Sequence, residues 1–334
     1  MKIIVRAPNW IGDAVLAWPA IQSLSQSPSV SQVWITGCDW VKDIFPSLGP
    51  IQGFIPLPDS AGPGALWKAA RILKKHRFDA CLLLTNSFSS ALLFFLAGIP
   101  QRWGYKRDGR GFLLTKRIRF KKKEAPLHQV RYYLDLISSL GFEASSPEFG
   151  FDVDEEESRQ AQVRLESLGV ESTKPLVVLN PGAFYGPAKR WPPRRFAELA
   201  VLFQERVGAQ ILIIGSAEER ELAETISAQM KIKPLVLSGK TTLPQLAAIL
   251  HLATLLVTND SGPMHLANAL KIPVVAIFGP TKPEETGPFQ QPSSVVQKKV
   301  SCWPCQHREC PTDHRCMQEI SAEDLFSASE GYLK

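Results

Sequence analysis

Residues 255–278 read LLVTNDSGPMHLANALKIPVVAIF. The apolar runs 255–258 and 274–278 predict two strands, and 264–270 predicts a helix between them. Because strands buried on both faces are continuously apolar, this unit predicts a parallel sheet covered by helices on both sides. Such sheets bind ligands at the carboxyl ends of their strands, which makes the loop after residue 258 a candidate site.

The same alternation extends outward along the chain. Predicted strands cover 2–7, 33–36, 54–57, 80–84, 176–179, 211–214 and 235–237, and predicted helices cover 13–25, 40–45, 65–76, 91–97, 194–206, 218–230 and 243–253. A chain of 334 residues exceeds the usual single core of up to ~250 residues. Ser145, Ser146 and Pro147 lead into the acidic run 152–157, which marks a boundary near residue 150. The fold class predicted is α/β, with two Rossmann-like domains facing across a cleft, the GT-B architecture.

No targeting segment is predicted. The first residues, MKIIVRAPNW, lack the pattern of a signal peptide. The stretch 80–101 carries no charge and is about as long as a membrane span, but the polar residues 85–87 interrupt it. A buried strand, a polar loop and a short helix are therefore expected there, in a cytoplasmic protein.

Positive charge is concentrated in one segment. The net charge is +6. The segment from Gln101 to Arg131 contains eleven Lys and Arg residues but only two acidic residues, Asp108 and Glu124. A solvated loop, a nucleic-acid patch and a site for an anionic substrate all fit this stretch. Nucleic acid is disfavoured because no helix-turn-helix, zinc-finger or RNP pattern accompanies it.

A tight turn after the first predicted strand carries a carboxylate. It reads Asn9-Trp10-Ile11-Gly12-Asp13. Asp13 fits a helix N-cap, where Asp is a preferred residue. It also fits a general base, because a helix N-terminus keeps a carboxylate ionised. The two roles are compatible.

Two loops of the second half suit a diphosphate. The loop 180–192, NPGAFYGPAKRWP, presents Lys189 and Arg190 as cations that would neutralise a leaving diphosphate. In the loop 258–265, TNDSGPMH, Ser261 and Gly262 would leave backbone N–H groups at a helix N-terminus, where anions bind. A purely structural loop is the alternative for the second motif.

These motifs together resemble a known family. NWIGD at 9–13, PGAFYGPAKRWP at 181–192, TNDSGPMHLANAL at 258–270 and VVAIFGPTKPEETGP at 274–288 are similar to the ADP-heptose–lipopolysaccharide heptosyltransferases, glycosyltransferase family 9, and within it to the heptosyltransferase II group. The resemblance extends in order over nearly the whole chain. It implies that 1–150 binds the acceptor, that 151–320 binds the ADP-sugar, and that 321–334 forms a C-terminal helix that packs back on the N-terminal domain.

The resemblance also implies a reaction. L-glycero-D-manno-heptose would pass from ADP-heptose to the first heptose of the lipopolysaccharide inner core, in an inverting single displacement that requires no metal or other cofactor. Asp13 is the expected base and Lys189 the cation on the phosphate. The expected donor site comprises Gly182, Lys189, Glu218, Thr242, Asp260, Ser261, Gly262 and His265. Some relatives have hydroxyl residues just before this lysine, where the present chain has Phe184 and Tyr185.

The acceptor implied by the family is anionic, since lipid A phosphates and Kdo carboxylates carry negative charge. Lys121, Lys122, Lys123 and Arg131 are therefore the expected acceptor-binding residues. Peripheral contact with the inner membrane surface is left open, and no nucleic-acid partner is expected.

Two clusters suggest metal chemistry instead. Asp152 and Asp154 have the Asp-x-Asp spacing of a metal-dependent transferase, although carboxylates there also favour the start of a helix. Cys302, Cys305, Cys310 and Cys316, with His307 and His314 interleaved, fit structural zinc, reduced thiols or a partial disulfide.

The alternative functions are heptosyltransferase I or III, another GT-B nucleotide-sugar transferase, and a non-catalytic nucleotide-diphosphate-binding module. Asp13 together with Lys189 argues against the last, because binding alone would not require the carboxylate.

Overall fold

The computed structural model describes residues 1–44, 51–58, 62–120, 126–144, 147, 149 and 151–333. Its contacts divide the chain into two compact units, Met1–Gly150 and Phe151–Lys334. Each unit contains a six-stranded sheet, and all strand pairings among the described residues are parallel. The α/β class predicted from the apolar runs is therefore confirmed.

The first unit alternates strands and helices. Its elements are β1 (Lys2–Arg6), α1 (Ile11–Gln26), β2 (Gln32–Gly37), β3 (Ile51–Pro56), α2 (Pro63–Lys75), β4 (Ala80–Leu83), α3 (Phe88–Leu96), β5 (Gln101–Tyr105), β6 (Lys116–Ile118) and α4 (Gln129–Ser139), with 3-10 turns at Asp39–Asp43 and Arg110–Leu113. The strand order is β3-β2-β1-β4-β5-β6. Helix α1 packs on α4, and α2 packs on α3.

The second unit repeats this plan. Its elements are α5 (Glu155–Ser167), β7 (Leu176–Asn180), α6 (Pro193–Val207), β8 (Gln210–Ile213), α7 (Arg220–Ala228), β9 (Leu235–Val236), α8 (Leu243–His251), β10 (Leu255–Asn259), α9 (Gly262–Ala269), β11 (Val274–Phe278), α10 (Pro283–Thr286), β12 (Ser293–Gln297), α11 (Arg315–Gln318) and α12 (Ala322–Ser329), with 3-10 turns at Pro187–Lys189, Ala217–Glu219 and Glu330–Tyr332. The strand order is β12-β11-β10-β7-β8-β9.

Both faces of the second sheet are buried. Val177 and Leu179 of β7 belong to one apolar cluster, and the intervening Val178 belongs to another on the opposite face. Successive side chains of a strand point to opposite faces, so a strand that is covered on both sides must be apolar at every position. This is the physical reason why the second sheet can be recognised from its sequence.

The C-terminal helix α12 packs against α6. The rings of Phe203 and Phe326 lie 5.5 Å apart, and the Arg206 guanidinium bonds both carboxylate oxygens of Glu323 at 2.6 and 2.9 Å. Residues 321–334, for which the sequence suggested packing on the N-terminal domain, are thus part of the second unit.

Several elements differ from the predictions. The sequence analysis did not assign β5, β6 or β12, which are polar or interrupted by Gly104. The predicted helix 40–45 is a short 3-10 turn at Asp39–Asp43, and Phe45 lies outside the described residues. The uncharged stretch 80–101 forms β4 and α3, and within the described parts of the chain no helix is long and apolar enough to cross a membrane.

Candidate active site

The strand order of the second sheet defines where a ligand would enter. In the strand order, β8 and β9 follow β7 toward one edge of the sheet, and β10, β11 and β12 follow it toward the opposite edge. The loops that follow β7 and β10 therefore diverge at their carboxyl ends and leave a crevice, which is the usual ligand site of such sheets. Both diphosphate motifs predicted from the sequence follow these two strands.

Side chains at the strand ends join the two loops. The Asn180 amide donates to Thr258 Oγ1 at 2.9 Å and to Ser261 Oγ at 2.6 Å. Asn259 accepts from the Trp191 backbone N–H at 3.0 Å and donates to the Pro181 carbonyl at 2.7 Å. Each loop is thus held by an amide from the neighbouring strand.

Sequence reasoning did not assign these two asparagines to the site. The signal available was the polar residue that ends each apolar strand. Both side chains are buried in the structure, and a buried amide must find partners because its desolvation is otherwise costly.

Lys189 and Asp260 form a buried ion pair. Lys189 Nζ lies 2.5 Å from Asp260 Oδ2, and the two side chains are 12% and 5% exposed. Thr281, in the loop after β11, donates its hydroxyl to the same carboxylate at 2.7 Å. The structure therefore brings two predicted site residues together, and the positive charge of Lys189 is compensated by Asp260.

Arg190 carries the second cation of this loop. Its guanidinium makes one long bond, from Nη2 to the Ala183 carbonyl at 3.5 Å, and its buried Nε has no partner in the structure. No ion pair is seen for Arg190 among the described residues. Its charge is thus less compensated than that of Lys189.

The start of α9 has the Gly262 backbone N–H as its first donor, because Pro263 has no N–H and the Met264 N–H donates to the Ser261 carbonyl at 3.2 Å. Ser261 is the N-cap residue, but its side chain does not cap the helix, because it is bonded to Asn180 instead. Gly262 begins the helix, and His265 is buried within its first turns. Backbone N–H groups at such a helix start bind phosphates and carboxylates.

Gly182 allows a carboxylate to approach the loop after β7. A Cβ at this position would overlap the Glu219 carboxylate, which also accepts from the Ser216 backbone N–H at 2.9 Å. Glu218, the residue predicted as a donor contact, is fully exposed, and a bond with the Ser216 side chain lowers its pKa. Glu219, which the sequence analysis did not name, therefore lies against the loop after β7.

Thr242, another predicted donor contact, caps α8. Its hydroxyl accepts from the Gln245 backbone N–H at 3.4 Å, and the Gln245 side chain returns a bond to the Thr242 backbone at 3.1 Å. This capping box gives Thr242 a structural role. The residue follows the short strand β9, at the same edge of the sheet as the other loops.

The cysteine-rich segment contacts the loop that carries Lys189. The Arg308 carbonyl accepts from the Ala188 backbone N–H at 3.0 Å, and the Gln306 carbonyl accepts from the Tyr185 hydroxyl at 2.9 Å. His314 Nε2 lies 2.8 Å from the Ala188 carbonyl. The segment 302–316 thus supports a predicted site loop.

The four cysteines of this segment line one small cavity, and all are free thiols. Burial, followed by the charge of the neighbouring thiols, raises the pKa of Cys316 to about 11, whereas a bond from Thr312 lowers the pKa of Cys310. Within the described ranges, no group of three or more His, Cys, Asp or Glu side chains is arranged to hold a metal ion.

Gly186 provides a test of this support. A Cβ there would overlap the Arg308 backbone carbonyl, so we expect Gly186→Ala to lower the free energy of unfolding by about 1–3 kcal/mol, the usual cost of overpacking. Gly64→Ala is the matched control, because nothing lies within 4 Å of the added Cβ. Equal thermal unfolding of the two variants would contradict the assigned contact.

The strand order of the first unit predicts a ligand crevice of the same kind. Its strand order reverses between β1 and β4, so the loops after these two strands diverge. Helix α1 begins at Ile11 after the β1 loop, and Asp13 lies in its first turn. The N-cap residue is Trp10, so Asp13 is not the N-cap that one of its two predicted roles required.

Tyr133 of α4 lies near the Asp13 carboxylate. Burial raises the pKa of Tyr133 well above its ordinary value, and the negative charge of Asp13 raises it further. The phenol therefore stays protonated at neutral pH. The Tyr133 side chain is buried, and the helix that carries it packs on α1.

Two buried arginines hold the loops around Asp13. Arg6 donates to the Ala7 carbonyl and, at 2.6 Å, to Asn9 Oδ1. Burial lowers its pKa to about 10, so it remains charged at neutral pH. Arg110, fully buried, donates to the carbonyls of Thr85 and Tyr105 and to the Asn86 side chain.

The basic stretch is consequently not a simple surface loop. Arg110 is a core residue, and Arg102 donates to the Leu113 and Ile99 carbonyls at 2.6 and 2.5 Å. Arg131 is exposed on α4, which packs on α1. Lys121, Lys122 and Lys123 lie outside the described residues.

The chain is similar to one family of known glycosyltransferases. The model of glycosyltransferase family 9 (heptosyltransferase) matches residues 66–315. The chain is 31% identical over 313 residues to lipopolysaccharide heptosyltransferase 2 of Escherichia coli K12, covering 89% of this chain and 88% of that one. It is 32% identical over 340 residues to lipooligosaccharide heptosyltransferase 2 of Campylobacter jejuni strain 81116, covering 98% and 97%.

A solved structure supports the same grouping. The structure of E. coli ADP-heptose lps heptosyltransferase II superposes with a TM-score of 0.85 at 28% identity, covering 100% of this chain and 98% of that one. The two parallel sheets and the match to this structure define a glycosyltransferase with the GT-B fold, as the sequence predicted. The chain belongs to glycosyltransferase family 9, the heptosyltransferases.

Proposed function

We propose that this enzyme transfers L-glycero-D-manno-heptose from ADP-heptose to the first heptose of the lipopolysaccharide inner core, with inversion at the anomeric carbon. The observation that carries the proposal is the crevice between the loops after β7 and β10, where Lys189, Asp260 and the start of α9 meet. The two relatives described above, at 31% and 32% identity, are both named heptosyltransferase 2, which supports the choice of acceptor.

In this reaction, the Asp13 carboxylate removes the proton from an acceptor hydroxyl as its oxygen attacks the anomeric carbon. The bond between that carbon and the diphosphate breaks in the same step, and ADP leaves with the negative charge. Attack opposite the leaving group inverts the configuration. The base contributes by proton transfer, and the donor site contributes by neutralising charge that grows on the diphosphate.

The donor diphosphate has three groups to bind it in the second unit. The Gly262 backbone N–H suits one phosphate. Lys189 would bind the other phosphate by giving up part of its ion pair with Asp260, and Arg190 adds a less compensated cation. Glu218, Thr242 and His265 are proposed to complete the donor site. The anionic acceptor is proposed to meet Arg131 and the tract Lys121, Lys122 and Lys123.

A direct assay separates this proposal from its alternatives. ADP-heptose is incubated with core acceptors that carry zero, one or two heptoses, and heptose incorporation is measured. We expect transfer to the acceptor with one heptose. Transfer to the other acceptors would indicate heptosyltransferase I or III activity, and ADP-heptose binding without transfer to any acceptor would indicate a binding module.

With EDTA, the rate of transfer is expected to stay within about twofold of the rate without it. The cations and the helix start proposed to hold the diphosphate are part of the protein. Asp154, the alternative metal ligand, accepts from the backbone N–H groups of Glu156 and Glu157 at 3.0 and 3.1 Å and thus caps α5. Asp154→Asn should retain activity, since Asn caps equally well. If EDTA abolished transfer and magnesium restored it, the result would instead support a role for Asp152 and Asp154.

In this proposal the acceptor saccharide is attached to a membrane lipid. Lipid A anchors the core saccharide in the bilayer, so the enzyme must work at the inner membrane surface. We therefore include peripheral membrane contact in the proposed function.

A further inference from the structure

One helical surface of the first unit exposes large apolar side chains. Helix α2 packs beside α3, and α3 contacts the turn Arg110–Leu113. These three elements expose Trp67, Ile72, Phe88, Phe95, Leu96 and Phe112, each by 37–67%. The rings of Phe88 and Phe112 lie 6.0 Å apart, which joins the turn to α3. We call these six residues, with the cations of α2, the α2–α3 surface.

The cations around this surface have few acidic partners. Helix α2 exposes Lys68, Arg71, Lys74 and Lys75 and contains no acidic residue. Between residues 62 and 107 the sequence has a single acidic residue, Asp79, whose carboxylate accepts from the Lys2 backbone N–H at 2.7 Å. The surface is therefore positively charged as well as apolar.

Cations and aromatic rings are in direct contact here. The Arg71 guanidinium lies 4.9 Å from the Trp67 ring centroid, and the Arg102 guanidinium lies 5.3 Å from that of Phe95. Pairs of this kind expose an apolar ring and a positive group to the same partner. Single exposed aromatic residues are normal on a solvated surface, whereas a group of them marks an interaction site.

We propose that the α2–α3 surface docks on an anionic phospholipid bilayer. Surfaces that combine Trp, Phe and Leu with Lys and Arg insert shallowly at the interface of negatively charged membranes. A protein partner would need acidic groups to match at least four lysine and arginine side chains, whereas lipid headgroups supply that charge everywhere. The inference rests on the proposed function for its lipid-linked acceptor, and it identifies the part of the enzyme that meets the membrane.

The test is flotation of the full-length protein with vesicles of phosphatidylglycerol and phosphatidylethanolamine, compared with vesicles of phosphatidylcholine alone. We expect the protein to float with the anionic vesicles only. Lys68→Gln/Lys74→Gln/Lys75→Gln should weaken binding about fivefold for each charge removed. Trp67→Ser/Phe112→Ser should weaken it at least about tenfold, because the apolar anchors are lost.

A matched control lies in the second unit. Ile232 is 65% exposed and follows the exposed Lys231, so Lys231→Gln/Ile232→Ser removes one cation and one apolar group elsewhere. This variant should bind anionic vesicles like the wild type. Circular dichroism and thermal unfolding establish that each variant is folded.

Three outcomes would overturn the inference. They are a wild-type protein that does not bind anionic vesicles, surface variants that bind as well as the wild type, and a wild-type dimer in ultracentrifugation that Trp67→Ser/Phe112→Ser dissociates. Transfer to a water-soluble, deacylated acceptor tests the proposed function separately. Surface variants that lose vesicle binding but keep this soluble transfer support both proposals, whereas vesicle binding without any transfer would contradict the proposed function alone.

Discussion

Asp13→Asn is expected to lower the rate of heptose transfer by about 10²–10⁴-fold, the usual contribution of a positioned general base. The amide keeps the shape of the side chain in the first turn of α1 but cannot accept a proton. Binding of ADP-heptose, measured by calorimetry, should be unchanged, because the proposed donor site belongs to the second unit. The mutation should therefore separate chemistry from donor binding.

Asp154→Asn is the matched control for Asp13, since it removes another carboxylate from the start of a helix. Its transfer rate should equal that of the wild type. Turnover of Asp13→Asn within a few-fold of the wild type would exclude Asp13 as the base.

Lys189→Ala is expected to reduce both transfer and stability. Loss of a cation on the leaving diphosphate should lower kcat by about 10²–10³-fold, as for other preorganised charge-stabilising groups. The same change leaves the buried Asp260 carboxylate without its cation. Breaking a buried ion pair in this way typically costs about 3–5 kcal/mol of unfolding free energy.

The two effects of Lys189 can be separated with a second substitution. Lys189→Ala/Asp260→Asn removes the uncompensated carboxylate, so thermal unfolding should recover most of the lost stability while transfer remains low. Lys189→Arg should rescue only in part, because a planar guanidinium does not replace the ammonium. Donor affinity that is unchanged in Lys189→Ala would show that this lysine does not bind the diphosphate.

An exposed pair provides the control for stability. Lys174 Nζ and Glu171 Oε1 lie 2.7 Å apart, but both side chains are at least half exposed. Lys174→Ala should cost less than about 1 kcal/mol, since solvent screens such pairs. A cost as large as that of Lys189→Ala would mean that burial does not explain the difference.

The bounds of strands that are buried on both faces were predicted closely. β7 was predicted as 176–179 and β11 as 274–278, and the structure shows Leu176–Asn180 and Val274–Phe278. These strands are buried on both faces and therefore continuously apolar. β6 and β12 lie at the edges of their sheets, where polar residues are tolerated, so their sequences carried no comparable pattern.

The basic stretch shows a second limit. The sequence counts Arg110 as one of eleven cations in a segment, yet the structure buries its guanidinium among three loop oxygens. Composition cannot distinguish a cation that faces a substrate from one that holds a loop. That distinction depends on which carbonyl groups the fold leaves without other partners.

By itself, the sequence determined the α/β class and the two-unit division, and it identified the motifs proposed to carry the chemistry, because each depends on residues close together in the chain. Only the tertiary structure decided which motif residues meet. Asn180 bonds Ser261, 81 positions away, Lys189 pairs with Asp260, and Arg308 supports the loop at Gly186. The first two contacts follow from β7 and β10 being neighbours in the sheet, and the third joins the β7 loop to the segment after β12. Strand order is a property of the whole fold, and local periodicity does not specify it.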